Sequence, residues 1–276
     1  MISRRDFLKA TGITLFATQI PGFIPETRIT TPNFEPLYGR VLKGFDGLWT
    51  DSIMPITKTL PNGYQTPHGV IEKYRLQPML SPVSYQQASY EPPFVAEVIG
   101  ASAVLRRYCG DMVPRYRLGH GGLLNVQDRI HYDGVDWYGV DDLGVNPQLF
   151  WTHSAPLAPV TIPPSVQNLT LEFHRATYTL TALQDEQPLF SVPFAAGDTL
   201  IRGEYAVTKQ TPISKTLIYI RMLPFVTTFG DDLHIYGAYW HNNFGNFTPD
   251  EGIQVPPYVA KWIYGASANG ARVIIV

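Results

Sequence analysis

The sequence predicts a mainly β protein, with small β units in front, a larger β unit behind and one short helix near the end. Composition is the first reason. The 276 residues include 16 Tyr, 14 Phe and 5 Trp beside 23 Gly and 24 Pro, a mixture that suits short strands and turns better than long helices. Patterning is the second. In NLTLEFH (168–174) Leu169, Leu171 and Phe173 fall on one face, with Thr170, Glu172 and His174 on the other, the period of a half-buried strand. Length is the third, since a chain of this size exceeds one small module and suits two or three compact units.

Taken in order, the chain opens on Ser3-Arg4-Arg5-Asp6-Phe7-Leu8-Lys9, followed by a modest apolar stretch from Ala10 to Ile24. This resembles the twin-arginine export motif, so residues 1–25 read as a signal region and the body is expected in the periplasm or cell envelope. Pro21 and Pro25 interrupt the stretch and no A-x-A site follows, which leaves cleavage open. Removing residues 1–24 takes away three basic groups and one acidic one, moving the formal charge from −2 to −4. Residues 26–34 are a polar linker.

Two β stretches come next. YGRVLKGFDGLW (38–49) and GVIEKYRLQPM (69–79) suggest a first unit over 35–85. FVAEVIGASAVLRRY (94–108) and LNVQDRIHYDGVDWYGV (124–140) suggest a second over 93–160, with Asp133-Gly134 as a hairpin turn. The close D-W-Y-G-V resembles that of small bacterial SH3-like barrels, and unspecialised hairpins account for both stretches equally. PLAPVTIPP (156–164) then separates front from back. Within 168–183 no Gly or Pro interrupts, so no reversal is expected there. Gln184-Asp185-Glu186-Gln187 is the clearer turn, before PLFSVPF (188–194), and GEYAVTK (203–209) is a further strand.

Several functions are excluded early. A formal charge of −2 with no basic cluster in the body argues against nucleic-acid binding. One cysteine, Cys109, permits no intramolecular disulfide and no cysteine-rich zinc site. No apolar run reaches the roughly 18 residues needed to span a bilayer.

The back half carries the strongest motif. YGAYWHNNFGNFTPDEGIQVPPYVAKWIYG (236–265) resembles, without a gap, the active-site segment of the YkuD-type L,D-transpeptidases. Tyr239 through Gly245 reproduce that family's Y-W-H-N-N-F-G run, and Ala260 to Tyr264 suit the helix that follows. LTLEFHRATYTLTALQDEQPLFSVPFAAG (169–197) is similar to its opening hairpin. The resemblance covers residues 166–276 and implies an L,D-transpeptidase-like β-sandwich with a short helix, associated with peptidoglycan. Such enzymes use a cysteine thiolate activated by histidine, without cofactor or metal. Here the motif departs from the pattern. The nucleophile position is Gly252, the activating-histidine position Asp250, and the upstream histidine position Tyr236. The resemblance implies a substrate groove formed by Tyr236, Gly237, Tyr239, Trp240, His241, Asn242 and Asn243, though the aromatics among them serve equally well as core.

Three readings stay open on the sequence. The chain is a binding protein that has lost the reaction and takes stem peptides or an envelope partner. Alternatively it is an active acyltransferase with another nucleophile, for which Cys109 beside Arg106-Arg107 is a candidate. A metal arrangement among His234, His241 and Asp231-Asp232 lacks any recognised ligand spacing. The third reading is a structural module of the envelope. The adjacent carboxylates Asp250-Glu251 point to opposite sides of an extended chain, which suits solvent better than paired acid catalysis.

Overall fold

Alternating and continuous apolar runs pair into strands along most of the chain. A computed structural model describes residues 32–141, 148–198, 200–215, 222–249, 252–267 and 270–276. The twin-arginine motif, Asp250 and Glu251 lie outside them. No helix among the described residues is long and apolar enough to cross a membrane.

The front begins with β1 (Tyr38–Val41), β2 (Ile53–Pro55), β3 (Lys58–Thr59), β4 (Gly63–Thr66), β5 (Gly69–Glu72) and β6 (Leu76–Met79), arranged as two three-stranded sheets, β2-β1-β6 and β3-β4-β5. The strand-like stretch at 69–79 is two strands, because a 3-10 turn at Lys73–Arg75 separates β5 from β6. Val41, Met54, Tyr64, Ile71 and Leu76 close this small core.

The middle holds β7 (Phe94–Val98), β8 (Ser102–Leu105), β9 (Tyr116–Gly119), β10 (Leu123–Tyr132), β11 (Val135–Asp141), β12 (Phe150–His153) and β13 (Leu157–Pro159). Five of them form the sheet β12-β11-β10-β7-β13, and an Arg106–Trp151 bridge brings the β8-β9 hairpin against its edge. Asp133 and Gly134 make the β10–β11 turn with φ of 51° and 73°, the double left-handed geometry a two-residue hairpin requires.

The back contains β14 (Leu169–His174), β15 (Thr179–Gln184), β16 (Gln187–Pro193), β17 (Ala195–Ala196), β18 (Gly203–Lys215), β19 (Met222–Phe229), β20 (Leu233–Gly237), β21 (Ile253–Val255), α1 (Pro257–Ala266) and β22 (Arg272–Ile275). Their sheet order is β16-β15-β14-β22-β18-β19-β20-β21-β17. Long β18 belongs to two leaves: Gly203–Ala206 pairs with β22, and from Val207 onward it pairs with β19, with a register shift between Val207 and Lys209. The mainly β class, the layered back unit and the short helix match the expectation.

Two local expectations fail. The stretch 168–183 does reverse, because β14 and β15 are antiparallel partners from Leu169↔Gln184 to His174↔Thr179. The turn is made without glycine, since Tyr178 itself takes φ 49°, a conformation costly enough in a bulky residue that patterning does not foresee it. Residues 169–193 are consequently a three-stranded meander and not one hairpin. The helix also starts earlier than Ala260. Pro257 supplies a preset φ at its first position, and Ser267 ends it by donating from Oγ to Ile263 O at 2.7 Å.

One buried charge ties front to back. Arg40 on β1 is 4% exposed. Its guanidinium donates to Gln77 Oε1 at 2.6 Å, Asp51 Oδ1 at 2.5 Å and the Tyr239 carbonyl at 2.8 Å. Asp51 also accepts from Ser102 Oγ at 2.8 Å and pairs with Arg117. Gln77 Nε2 donates to His120 O at 2.6 Å. On the helix side, Lys261 Nζ meets Glu97 Oε2 at 2.5 Å.

Arg40→Ala is expected to lower stability by about 2–3 kcal/mol, since the Tyr239 carbonyl and the Gln77 amide oxygen lose their buried donor while Asp51 keeps Ser102 and Arg117. Arg40→Lys should recover little of this, because one ammonium cannot reproduce a planar fork; equilibrium urea unfolding measures both. A pH effect arises nearby. Burial pulls the pKa of His120 below its usual range, so the folded ring is neutral. The unfolded chain therefore takes up this proton first as pH falls below about 6.5, and stability drops. His153, lowered in the same way, adds to the slope, so His120→Gln should reduce the loss below that pH and leave stability at pH 8 nearly unchanged.

Candidate functional site

The aromatic run leaves the end of β20 and returns to begin β21, and these two short strands lie parallel with Tyr236 opposite Gln254 and Gly237 opposite Val255. A parallel pair needs a crossover, and residues 238–252 supply it. The crossover is pinned at its start, where Ala238 N donates to Val255 O at 2.9 Å, and midway, where Gly245 N donates to Phe194 O at 2.8 Å.

A polar chain runs under this crossover. Gln254 Nε2 donates to Tyr236 Oη at 3.0 Å, while Gln254 Oε1 accepts from His241 Nε2. The other ring nitrogen, His241 Nδ1, accepts from the Asn243 amide at 3.0 Å. An amide oxygen accepts only and a backbone N–H donates only, which assigns His241 the neutral tautomer with its proton on Nε2. Both nitrogens are engaged inside the protein. The Tyr236 ring stacks on Trp240 at 6.3 Å, Trp240 meets Tyr239 edge-on at 5.0 Å, and His241 lies 5.1 Å from Phe244.

The predicted residues divide by exposure. Tyr236, Gly237, Tyr239 and Asn242 are buried, Trp240 and His241 are half-buried, and Asn243 is exposed. Gly237 sits beneath α1, where an added Cβ would lie 3.0 Å from Pro257 Cα and 3.3 Å from Ala260 Cβ. Asn242 turns towards the front, donating from Nδ2 to Tyr64 Oη at 3.0 Å and Lys73 O at 2.9 Å. With the Arg40 bond to the Tyr239 carbonyl, this makes the run a joint between the two halves. What remains outward is Trp240, His241 and Asn243.

Gly252 adjoins this cluster. Its φ is +81°, and an added Cβ would stand 2.8 Å from the His234 carbonyl and 3.0 Å from Tyr236 Cε1. The backbone is therefore both left-handed and walled in where a side chain would project. Tyr236, Trp240, His241 and Gly252 thus come together, while Gly237 and Asn242 serve the helix and the front.

Gln254 was not foreseen from the sequence. Its signal is a lone amide between Ile253 and Val255 on a strand whose three residues are all buried, since a polar group in such a place needs partners. His234 goes elsewhere, with Nδ1 3.1 Å from Thr228 Oγ1 and Nε2 3.5 Å from exposed Asp232. Cys109 lies beyond β8 in the middle region, and burial pushes its thiol pKa up, opposite to the lowering that Arg106 and Arg107 suggested.

No family model matches the sequence, and no curated protein matches it. Among solved structures it is similar to an L,D-transpeptidase from Stackebrandtia nassauensis, at 13% identity and a TM-score of 0.37, over 42% of this chain and 58% of that one. It is also similar to the L,D-transpeptidase (residues 123-326) from Xylanimonas cellulosilytica DSM 15894, at 15% identity and a TM-score of 0.36, over 42% and 64%. An L,D-transpeptidase from Mycobacterium smegmatis matches at 11% identity and a TM-score of 0.36, over 71% and 100%. In the first two cases the chain spans less than two thirds of the other's length. Overlap at this level assigns no residue a role.

Gly252→Cys is expected to destabilise the protein by about 1–3 kcal/mol, the cost of a left-handed non-glycine residue, with the His234 strand displaced in addition. A denaturation midpoint shifted down for both Gly252→Cys and Gly252→Ala checks this; an unchanged midpoint would show that the crossover yields freely.

Proposed function

We propose that the chain is an exported cell-envelope protein whose back half has an L,D-transpeptidase-like arrangement without the acyl-transfer reaction. On this reading it acts by binding peptidoglycan stem peptides or an envelope partner. Gly252 carries the proposal. At the position the resemblance gives to the thiol, the backbone is left-handed at φ +81° and an added Cβ meets the His234 carbonyl at 2.8 Å. No nucleophile is present there and the space for one is closed. Asp250 and Tyr236 occupy the two histidine positions, and the Tyr236 hydroxyl is already bonded to Gln254. In a comparable triad, removing the nucleophile costs on the order of a millionfold in turnover.

Binding would use what the crossover presents. Trp240 offers apolar area, His241 is held in one tautomer, and exposed Asn243 offers an amide. Such a mix of one aromatic surface with a few fixed polar groups suits a peptide carrying amides and a charged end. Export rests on Ser3-Arg4-Arg5-Asp6-Phe7-Leu8-Lys9. The alternative, an active acyltransferase with another nucleophile, has Cys109 as its thiol, and burial disfavours the thiolate there.

Incubating the purified protein with a stem tetrapeptide should release no D-alanine and should show saturable binding by calorimetry. Trp240→Ala should weaken that binding about tenfold or more, as the loss of an aromatic anchor does. Release of D-alanine that disappears in His241→Ala would overturn the non-catalytic reading. Rapid neutral-pH labelling of Cys109 by a thiol probe would favour the alternative. Absence of stem-peptide binding with a stable partner in pull-downs would assign the surface to an envelope protein.

A further inference from the structure

We propose that the cavity where α1 meets β6 and β7 binds a single neutral sugar ring. Those three elements wall it, together with the His120–Gly121 turn and Phe34. It holds about 290 Å³, at the small end of ligand sites and suited to one ring.

The walls are fixed without a ligand. Gln77 on β6 accepts from Arg40 at 2.6 Å and donates to His120 O at 2.6 Å. Gly121 lets its turn touch α1, since a Cβ there would lie 2.6 Å from Pro257 Cβ. A cleft built in this way loses little freedom when a ligand enters.

One polar group on the wall lacks a partner. Among the described residues the Tyr258 hydroxyl forms no hydrogen bond, and burial pushes its pKa up, which keeps it neutral. A desolvated hydroxyl left unbonded costs stability, so it calls for a partner from outside the chain. Its neighbours hold spare capacity too. Lys261 Nζ meets Glu97 Oε2 at 2.5 Å, with the two side chains 22% and 17% exposed. That bond fixes both heads on the wall and leaves two ammonium N–H groups and Glu97 Oε1. His120 Nδ1 donates to Gly100 O at 3.1 Å, which makes Nε2 an acceptor in the neutral ring.

These groups select the ligand. Glu97 and Lys261 cancel, and among the described residues no other charged side chain lines the cavity. Neither an anion nor a cation is favoured, because each would compete with the existing pair. What remains is a mixture of donors and acceptors, which hydroxyls match because each can do both. The aromatic side is also open. Phe34 and Tyr258 are both half-buried, with ring centres 5.6 Å apart, and Trp262 backs Phe34 edge-on at 6.4 Å. Their free surface suits the C–H face of a sugar, whose hydrogens meet the negative face of an aromatic ring. No lining residue belongs to the Tyr236–His241 cluster, so the site does not depend on the function proposed there.

The test is calorimetry on the full chain, with saturation-transfer NMR, using D-glucose, D-galactose, D-glucuronate, D-glucosamine and cyclohexanol. At least one of the two neutral sugars should bind saturably at millimolar concentration. The charged sugars and cyclohexanol should each bind about tenfold more weakly or worse. Tyr258→Phe should weaken the neutral sugar about five- to tenfold, while the denaturation midpoint stays or rises because the hydroxyl has no protein partner to lose. Unchanged sugar binding in Tyr258→Phe overturns the proposal. Equal or tighter binding of a charged sugar or of cyclohexanol does so as well, as does absence of binding by both neutral sugars.

Discussion

Arg40 places a cation where two halves of the chain meet, and the desolvation of that cation sets the terms for everything around it. Taking a guanidinium out of water costs several kcal/mol unless its donors are matched. Burial accordingly pulls the Arg40 pKa down, and Asp51 opposes the shift. The site supplies an amide oxygen from β6, a carboxylate from the β1–β2 loop and a carbonyl from the aromatic run. Room for the group depends on Gly119, since any Cβ there would overlap the guanidinium. Three segments far apart in sequence must therefore arrive together. Once they do, the position of Tyr239 is fixed, and with it the stacked order of Tyr236 and Trp240.

The crossover between β20 and β21 consequently has two jobs. Its inner side holds the halves together through Arg40 and Asn242, while its outer side presents Trp240, His241 and Asn243. Gln254 separates these roles. By accepting from His241 on one side and donating to the Tyr236 hydroxyl on the other, it ties both side chains together inside the protein. With both nitrogens engaged, the His241 ring is held in one orientation. The left-handed Gly252 fits the same picture, because it lets β21 begin directly against β20 with no side chain between them.

Much of the local structure is legible in the sequence. Leu169, Leu171 and Phe173 alternate as β14 does, Asp133-Gly134 turns where that dipeptide should, and the aromatic run is continuous. Other features depend on partners that no local pattern names. The β14–β15 reversal rests on Tyr178 in a conformation that composition disfavours. Strand β19 is buried along all eight residues, so it shows no alternation, and Pro224 and two threonines interrupt its apolar positions. Asn242 reads as a groove residue until Tyr64 and Lys73 come up from 178 and 169 positions away. Arg40 resembles any surface arginine in YGRV until its three acceptors are known. Local order could be read from the residues; the junction could not, because its interactions join segments with no shared pattern.

The acceptor that the aromatic run offers Arg40 is a main-chain carbonyl. Position 239 could therefore change its side chain over generations without surrendering the bond, provided the crossover keeps its path. The opposite end has no such latitude, since the fork of position 40 and the bare α-carbon of position 119 are each chemically unique. The two ends of one contact should thus drift at very different rates. A chain of this kind could vary the outer face of the crossover while the residues holding that face in place stay still.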